Sequence, residues 1–67
     1  MERAVEKKVE KIIDDQGGAI YERTDEKIVG EFTCWKRAEG CCSEICRKLK
    51  SKVLAYRDGT RVVVAIG

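Results

Sequence analysis

The start of the chain has the apolar spacing of an amphipathic helix. Within residues 2–15, apolar side chains recur every three or four positions, and charged side chains fill the remaining face. This spacing follows the helical period of about 3.6 residues and predicts a helix with one apolar face. The apolar positions are Val5, Val9, Ile12 and Ile13. The Gly-Gly pair at positions 17 and 18 predicts the end of the helix.

A strand pattern follows this helix. The segments AIYERT and KIVGEFTCW alternate apolar and polar residues on either side of the polar pair Asp25-Glu26, which predicts a β-hairpin. Side chains two positions apart lie on the same face of a strand. The positions predicted to share one face are Ile28, Gly30, Phe32 and Cys34.

The second half of the chain predicts the same elements again. Residues 40–51 predict a second helix. Its predicted apolar stripe is Cys42, Ile45, Cys46 and Leu49. The segment KVLAYRDGTRVVVAIG predicts a second hairpin, because Asp58-Gly59 is a strong signal for a hairpin turn. The predicted order is therefore αββαββ.

Two helices that cover one face of a four-stranded antiparallel sheet give a two-layer α+β fold, predicted here as a single domain over residues 1–67. The two halves also match each other loosely. Val9 and Ile13 correspond to Ile45 and Leu49, Tyr21 to Tyr56, Ile28 to Val62, and Phe32 to Ile66. An internal repeat would explain this match, and so would chance similarity between two short amphipathic units.

The second face of the sheet is a candidate interaction surface. The residues predicted to face the helices are Ile28, Gly30, Phe32, Val62, Val64 and Ile66. Alternation sends Tyr21, Val29, Trp35, Val63 and Ala65 to the opposite face, with Tyr56 among them. Exposed apolar patches often mark interfaces, and Tyr and Trp are favoured anchors there. The predicted partner-binding residues are Tyr21, Trp35, Tyr56 and Val63. The alternative is a sheet that merely tolerates outward apolar residues.

The four cysteines lie within thirteen positions, in the pattern C-x6-C-C-x3-C. Structural zinc sites use paired ligands at C-x2-4-C spacing, and this chain has neither a CxxC pair nor a histidine. We therefore expect no metal site and no catalytic cysteine. The candidates for a disulfide are Cys34, Cys41, Cys42 and Cys46. A bridge from Cys34 to a cysteine of the second helix, or buried free thiols, is the preferred interpretation, whereas Cys42–Cys46 is disfavoured by helix geometry.

The composition predicts the cellular compartment of the protein and the kind of organism that it comes from. Charged residues make up 39% of the 67 positions, and Asn, Pro and His are absent. Such a profile is typical of hyperthermophile proteins. No apolar stretch approaches the roughly 20 residues that span a bilayer, and the N-terminus lacks the apolar region of a signal peptide. We expect a cytoplasmic protein without a membrane partner.

Cations cluster near the second helix. Together they would form a basic patch for phosphate groups, and the alternative is that they complement the dipole at the end of the helix. The members of the cluster are Lys36, Arg37, Arg47, Lys48, Lys50 and Lys52.

These features predict a small non-enzymatic protein-interaction module that needs no cofactor. Its partner would be another protein, or a second copy of the chain in a homodimer. Nucleic-acid binding on an aromatic platform is the alternative, and a thiol redox protein is the third candidate. An enzyme is not expected, because the chain has no histidine, no Gly-rich phosphate loop and no recognisable catalytic set.

In length, Lys/Glu-rich composition and cysteine content, the whole chain resembles the small inhibitor family of the replication sliding clamp in Thermococcales archaea. The resemblance implies a regulator of DNA replication that binds the clamp without the usual clamp-binding peptide. That peptide is absent here, since Gln16 is followed by GGAIYER without the paired aromatic residues it requires. No motif carries the resemblance, so it assigns no binding residues.

Overall fold

The computed structural model of the protein describes residues 3–49 and 52–65. It contains the six predicted elements in the predicted order. They are α1 (Arg3–Asp15), β1 (Ala19–Arg23), β2 (Lys27–Glu31), α2 (Trp35–Leu49), β3 (Leu54–Asp58) and β4 (Arg61–Ala65).

The strands form a four-stranded sheet in the order β1-β2-β4-β3, and every neighbouring pair is antiparallel. Both helices pack on one face of this sheet. The predicted two-layer α+β fold is therefore confirmed.

The first helix agrees closely with its prediction. Its buried residues are Val5, Val9, Ile12 and Ile13. The helix ends in a Schellman motif, in which Gly18 N–H donates to the Ile13 carbonyl at 2.9 Å and Gly17 N–H donates to the Asp14 carbonyl at 3.0 Å. Gly17 has φ of 84°, a left-handed conformation that costs glycine little.

The second helix differs from its prediction in both its start and its buried stripe. It begins at Trp35, five residues before the predicted start, and residues 50 and 51 lie outside the described residues. Gly40 lies inside the helix rather than at its boundary, and it is exposed. A glycine at such a position costs about 1 kcal/mol of helix stability relative to alanine. The buried stripe is Ala38, Cys41, Ile45 and Leu49. Cys42 is half-buried and packs against the core, whereas Cys46 is exposed, so the predicted core position of Cys46 is wrong.

The first hairpin is shorter than predicted. Strand β2 ends at Glu31, whereas the sequence pattern extends it to Trp35. Phe32 follows the strand and is buried in the core, as predicted. Cys34 lies in a bend immediately before α2 and is exposed, so it does not share the strand face of Ile28 and Gly30.

The helix side of the sheet forms the core. Ile28, Val62 and Val64 are completely buried there, as predicted, and Ile66 lies outside the described residues. At Gly30 the two layers are very close, because a Cβ at this position would lie 3.0 Å from Ile13 Cγ2. The missing side chain thus allows the direct packing of α1 on β2.

The sheet also has approximate two-fold symmetry. Val29 opposes Val63 at the centre of the β2–β4 pair, and a rotation about that point exchanges Ile28 with Val62 and β1 with β3. These exchanges agree with the sequence matches of Ile28 to Val62 and of Tyr21 to Tyr56. The match of Phe32 to Ile66 falls partly outside the described residues. The arrangement supports the interpretation of the two halves as a repeat.

Two glycine substitutions test this packing in opposite directions. Gly40→Ala should raise the free energy of unfolding by about 1 kcal/mol, because position 40 is an exposed helix position with space for a methyl group. Gly18→Ala should lower it by roughly 1–3 kcal/mol, because the new Cβ would lie 2.5 Å from Phe32 Cζ in the core. Denaturant unfolding of both variants measures the two changes. A stabilised Gly18→Ala variant would contradict the described position of Phe32.

Candidate functional site

The helices leave one face of the sheet uncovered, which we call the open sheet face. Strand register assigns to this face the side chains that alternate with the core-facing ones of the four strands, such as Ile28 and Val62. Its apolar members are Ala19, Tyr21, Val29, Leu54, Tyr56, Val63 and Ala65. Its charged members are Glu22, Lys27, Glu31, Asp58 and Arg61.

An irregularity in β1 places Tyr21 on the open sheet face. The register shifts between Ile20, which pairs with Gly30, and Glu22, which pairs with Val29. Tyr21 is the extra residue of this bulge. The Arg61 guanidinium carbon lies 3.9 Å from the centre of the Tyr21 ring, which is a close cation–π contact.

The cation over Tyr21 is itself held by a carboxylate. Arg61 Nε donates to Glu31 Oε2 at 2.6 Å, and Thr60 Oγ1 donates to Glu31 Oε1 at 3.0 Å. The hydrogen bonds from Arg61 and Thr60 lower the pKa of Glu31 below its ordinary value, and the bond to Glu31 raises the pKa of Arg61. Arg61 and Glu31 therefore stay charged at neutral pH, which keeps the guanidinium over the tyrosine ring.

The apolar part of the open sheet face has exposed side chains on the edge strands and a covered centre. Tyr21 and Tyr56 are 56% and 50% exposed, and Leu54 is 65% exposed. Val29 lies on β2, between the strands that carry Tyr21 and Tyr56. It is only 5% exposed, so its neighbours on this face cover it. Two accessible tyrosine side chains thus lie on either side of a covered aliphatic centre.

The charges of the open sheet face are largely neutralised within it. Besides the Arg61–Glu31 pair, Lys27 Nζ lies 3.6 Å from Glu22 Oε2. Asp58, directly opposite Arg61 in the β3–β4 pair, adds a further carboxylate. Binding of a polyanion depends on cations that neutralise phosphates, and this face offers no excess of them. Its chemistry favours an uncharged polar ligand.

Trp35 does not lie on the open sheet face, so its predicted place beside the two tyrosines is wrong. It is the first residue of α2. The Arg57 guanidinium carbon and Lys36 Nζ lie 5.6 Å and 5.8 Å from the centre of its ring. Arg57 pairs with the buried Val62 and so points to the helix side of the sheet. The strand period assigned Trp35 to the wrong face because β2 ends before this residue.

The predicted basic patch is divided between the two ends of α2. Lys36 and Arg37 lie in its first turn, and Arg47 and Lys48 lie in its last turn. At 1.5 Å per residue these groups are about 16 Å apart along the helix. Arg47 and Lys48 both pair with Glu44. Lys52 is exposed, and Lys50 lies outside the described residues.

A groove between the helices brings together cations of α1 and α2 that no pattern in the sequence places near each other. Three lysines line it, and we call it the three-lysine groove. Its lining residues are Lys8, Lys11, Ile12, Asp15, Lys48 and Leu49. The lysines of α1 occur at helical spacing, but nothing local in the sequence relates them to Lys48, because only the packing of α1 on α2 does so.

All four cysteines carry free thiols in the described part of the chain. The predicted bridge from Cys34 does not fit the position of this residue. Cys34 directly precedes α2, and Ala38 N–H donates to its carbonyl at 3.3 Å. Cys41 lies two helical turns further on, about 10 Å along the axis, whereas a disulfide needs a Cα separation of about 4.4–6.8 Å. The alternative prediction, a buried free thiol, agrees with Cys41, which is free and completely buried.

Burial sets the chemistry of Cys41. Desolvation raises the pKa of its thiol to about 12, so the thiol is neutral and a poor nucleophile near neutral pH. The pKa of Cys42 is also raised, mainly by burial. Within residues 3–49 and 52–65, no three His, Cys, Asp or Glu side chains form a group that could hold a metal ion. None of the described helices is long and apolar enough to cross a membrane.

No protein-family model and no curated protein matches the sequence. A solved structure with a similar fold is that of trehalose-6-phosphate phosphatase from Aspergillus fumigatus, with a TM-score of 0.79 and 13% sequence identity. The match covers 98% of this chain and 28% of the phosphatase chain. The chain thus spans about a quarter of the length of that protein, and the likeness shows a common fold.

This match contradicts the function predicted from the sequence. A small non-enzymatic interaction module was expected, with a regulator of the sliding clamp as the specific form and nucleic-acid binding or thiol redox chemistry as alternatives. The same fold instead forms part of an enzyme chain. The resemblance to the clamp-inhibitor family, the protein partner and the homodimer stay predictions, because the match does not bear on them.

The four thiols should differ in reactivity in the order of their burial. Iodoacetamide should modify the exposed Cys34 and Cys46 first, and Cys41 only as fast as the protein unfolds. Mass mapping after short exposure to the reagent measures this order.

The raised pKa of Cys41 also predicts a loss of stability in alkali. The folded state keeps the thiol proton above the ordinary thiol pKa of 9.0. The free energy of unfolding should therefore fall as the pH rises from about 9 towards 12, and Cys41→Ala should reduce this fall. In the iodoacetamide experiment described above, rapid labelling of Cys41 in the folded protein would show that the described register of α2 is wrong.

Proposed function

We propose that the chain is a carbohydrate-binding domain that holds its ligand on the open sheet face. The observation that carries the proposal is the pair of exposed tyrosines, Tyr21 and Tyr56, on a fold that also forms part of a trehalose-6-phosphate phosphatase. The ligand class is a sugar of at least disaccharide size, because the two tyrosines lie on the two edge strands of the sheet.

The tyrosines supply the apolar part of sugar recognition. A pyranose ring has a face of C–H groups that packs against an aromatic ring, and its hydroxyl groups project from the edge. Tyr21 is held in place by the cation above it, and Tyr56 lies across the sheet on the related strand β3. Their phenol hydroxyls can also donate to or accept from sugar hydroxyls.

The paired charges around the tyrosines supply the polar part. Carboxylates such as Glu22 and Asp58 accept hydrogen bonds from sugar hydroxyls, and Lys27 donates them. Because these charges largely balance, the face attracts hydroxyl groups without strongly attracting a free phosphate. A sugar therefore suits the open sheet face better than a nucleic acid does.

The proposal assigns ligand binding to this chain and catalysis to another domain or another chain. The 67 residues contain no histidine. The most perturbed thiol, that of Cys41, is a buried core residue with a raised pKa, which is the opposite of an activated nucleophile. A binding role is also in keeping with a fold that makes up 28% of a phosphatase chain.

Truncation of the tyrosines tests the proposal. Tyr21→Ala and Tyr56→Ala should each weaken trehalose binding roughly fivefold, because one aromatic contact contributes about 1 kcal/mol. Isothermal titration calorimetry measures the change. Trehalose 6-phosphate should bind the open sheet face about as well as trehalose, since the cations there are already paired.

Trp35→Ala is the matched control, because Trp35 is 49% exposed but lies off the open sheet face. It should leave trehalose binding unchanged. The melting temperature of each variant shows whether the fold is retained. Equal losses in Tyr56→Ala and Trp35→Ala, or no binding of trehalose by the unaltered protein, would contradict the proposal. Release of phosphate from trehalose 6-phosphate by the chain alone would contradict the assignment of catalysis elsewhere.

A further inference from the structure

The three-lysine groove lies between α1 and α2, on the helix side of the molecule and away from the open sheet face. Its volume is about 250 Å³. This volume lies just below the roughly 300–1,000 Å³ of typical ligand pockets, so the groove fits a small organic molecule.

The lining of the groove has an excess of positive charge. It contains three lysines and one carboxylate, that of Asp15. Lys11 Nζ lies 3.5 Å from Asp15 Oδ2, with both side chains more than half exposed, and Lys48 Nζ lies 3.8 Å from Glu44 Oε1. Lys8 has no salt-bridge partner among the described residues. Exposed pairs of this kind are weak, so all three ammonium groups can contact an added anion.

The helix termini reduce this field without cancelling it. Lys48 lies in the last turn of α2 and Asp15 is the last residue of α1, where the backbone carbonyls carry partial negative charge. An anion in the groove is therefore attracted mainly by side-chain charges that water partly screens. This predicts modest affinity that falls as salt is added.

The floor of the groove is apolar. Ile12 and Leu49 line it and are 6% and 5% exposed, so each retains a small accessible apolar surface beneath the lysines. An inorganic ion would leave this surface in contact with water, whereas a short hydrocarbon group would cover it. The lining thus fits an anionic group joined to a small apolar body.

We propose that the three-lysine groove binds a small organic anion. A phosphate or carboxylate group of the ligand contacts Lys8, Lys11 and Lys48, and its hydrocarbon part covers Ile12 and Leu49. This site is separate from the sugar site of the proposed function, so either can exist without the other.

Titration with n-butyl phosphate, followed by amide chemical shifts, tests the proposal. The shifts should change at residues 8–15 of α1 and near Lys48 and Leu49. Lys8→Gln and Lys48→Gln should each weaken binding roughly fivefold, the upper end for an exposed charge pair. Lys7→Gln removes the same charge from α1 at a position outside the groove and should leave binding nearly unchanged.

Two further ligands separate the parts of the site. Inorganic phosphate should bind more weakly than n-butyl phosphate, because it does not cover the apolar floor, and n-butanol should bind more weakly because it lacks the charge. Equal binding of inorganic phosphate and n-butyl phosphate would overturn the role of the floor. Equal losses in Lys7→Gln and Lys8→Gln would overturn the site itself, since the anion would then respond only to net charge.

Discussion

The contact between Ile13 of α1 and Gly30 of β2 sets the distance between the helix layer and the sheet. A side chain at position 30 would lie 3.0 Å from Ile13 Cγ2, so this close approach depends on its absence. Around the contact, Ile28, Val62 and Val64 are completely buried. A chain of this size can bury only about 60% of its unfolded surface, and it gains most of its stability from this one apolar layer.

Because the helices cover only one face of the sheet, the molecule has two surfaces with different chemistry. The open sheet face presents two tyrosines, and its charges are paired within the sheet, as Arg61 is with Glu31. The helix side carries the three-lysine groove, where the charges are less balanced. Arg23 connects the two layers at one edge, since its guanidinium reaches from β1 to Glu10 of α1 at 2.9 Å. The proposed sugar site and the proposed anion site therefore lie on opposite sides of the core.

Elements whose signal is local can be predicted from the amino-acid sequence alone. The burial of Val9 and Ile13 follows from helical spacing, and the end of α1 follows from Gly17, because both depend on residues within a few positions. The hairpins and the antiparallel sheet follow from short alternating segments with short connections. Alternation alone places Tyr56 on the uncovered face, and the strand register agrees, whereas Tyr21 reaches this face through the bulge in β1.

Features that depend on packing between distant segments follow from the three-dimensional fold and not from any local pattern. Local pattern places Trp35 at the end of a strand and Cys46 in the core, whereas α2 begins at Trp35 and buries Cys41, and Cys46 is exposed. The early start of α2 is compatible with the core because the first turns of the helix bury Ala38 completely. A sequence pattern does not reveal whether such a residue fits the core. In the same way, Lys8 and Lys48 share a groove only because α1 packs beside α2. Side chains forty positions apart interact through the fold alone, since nothing in the local chain fixes their distance.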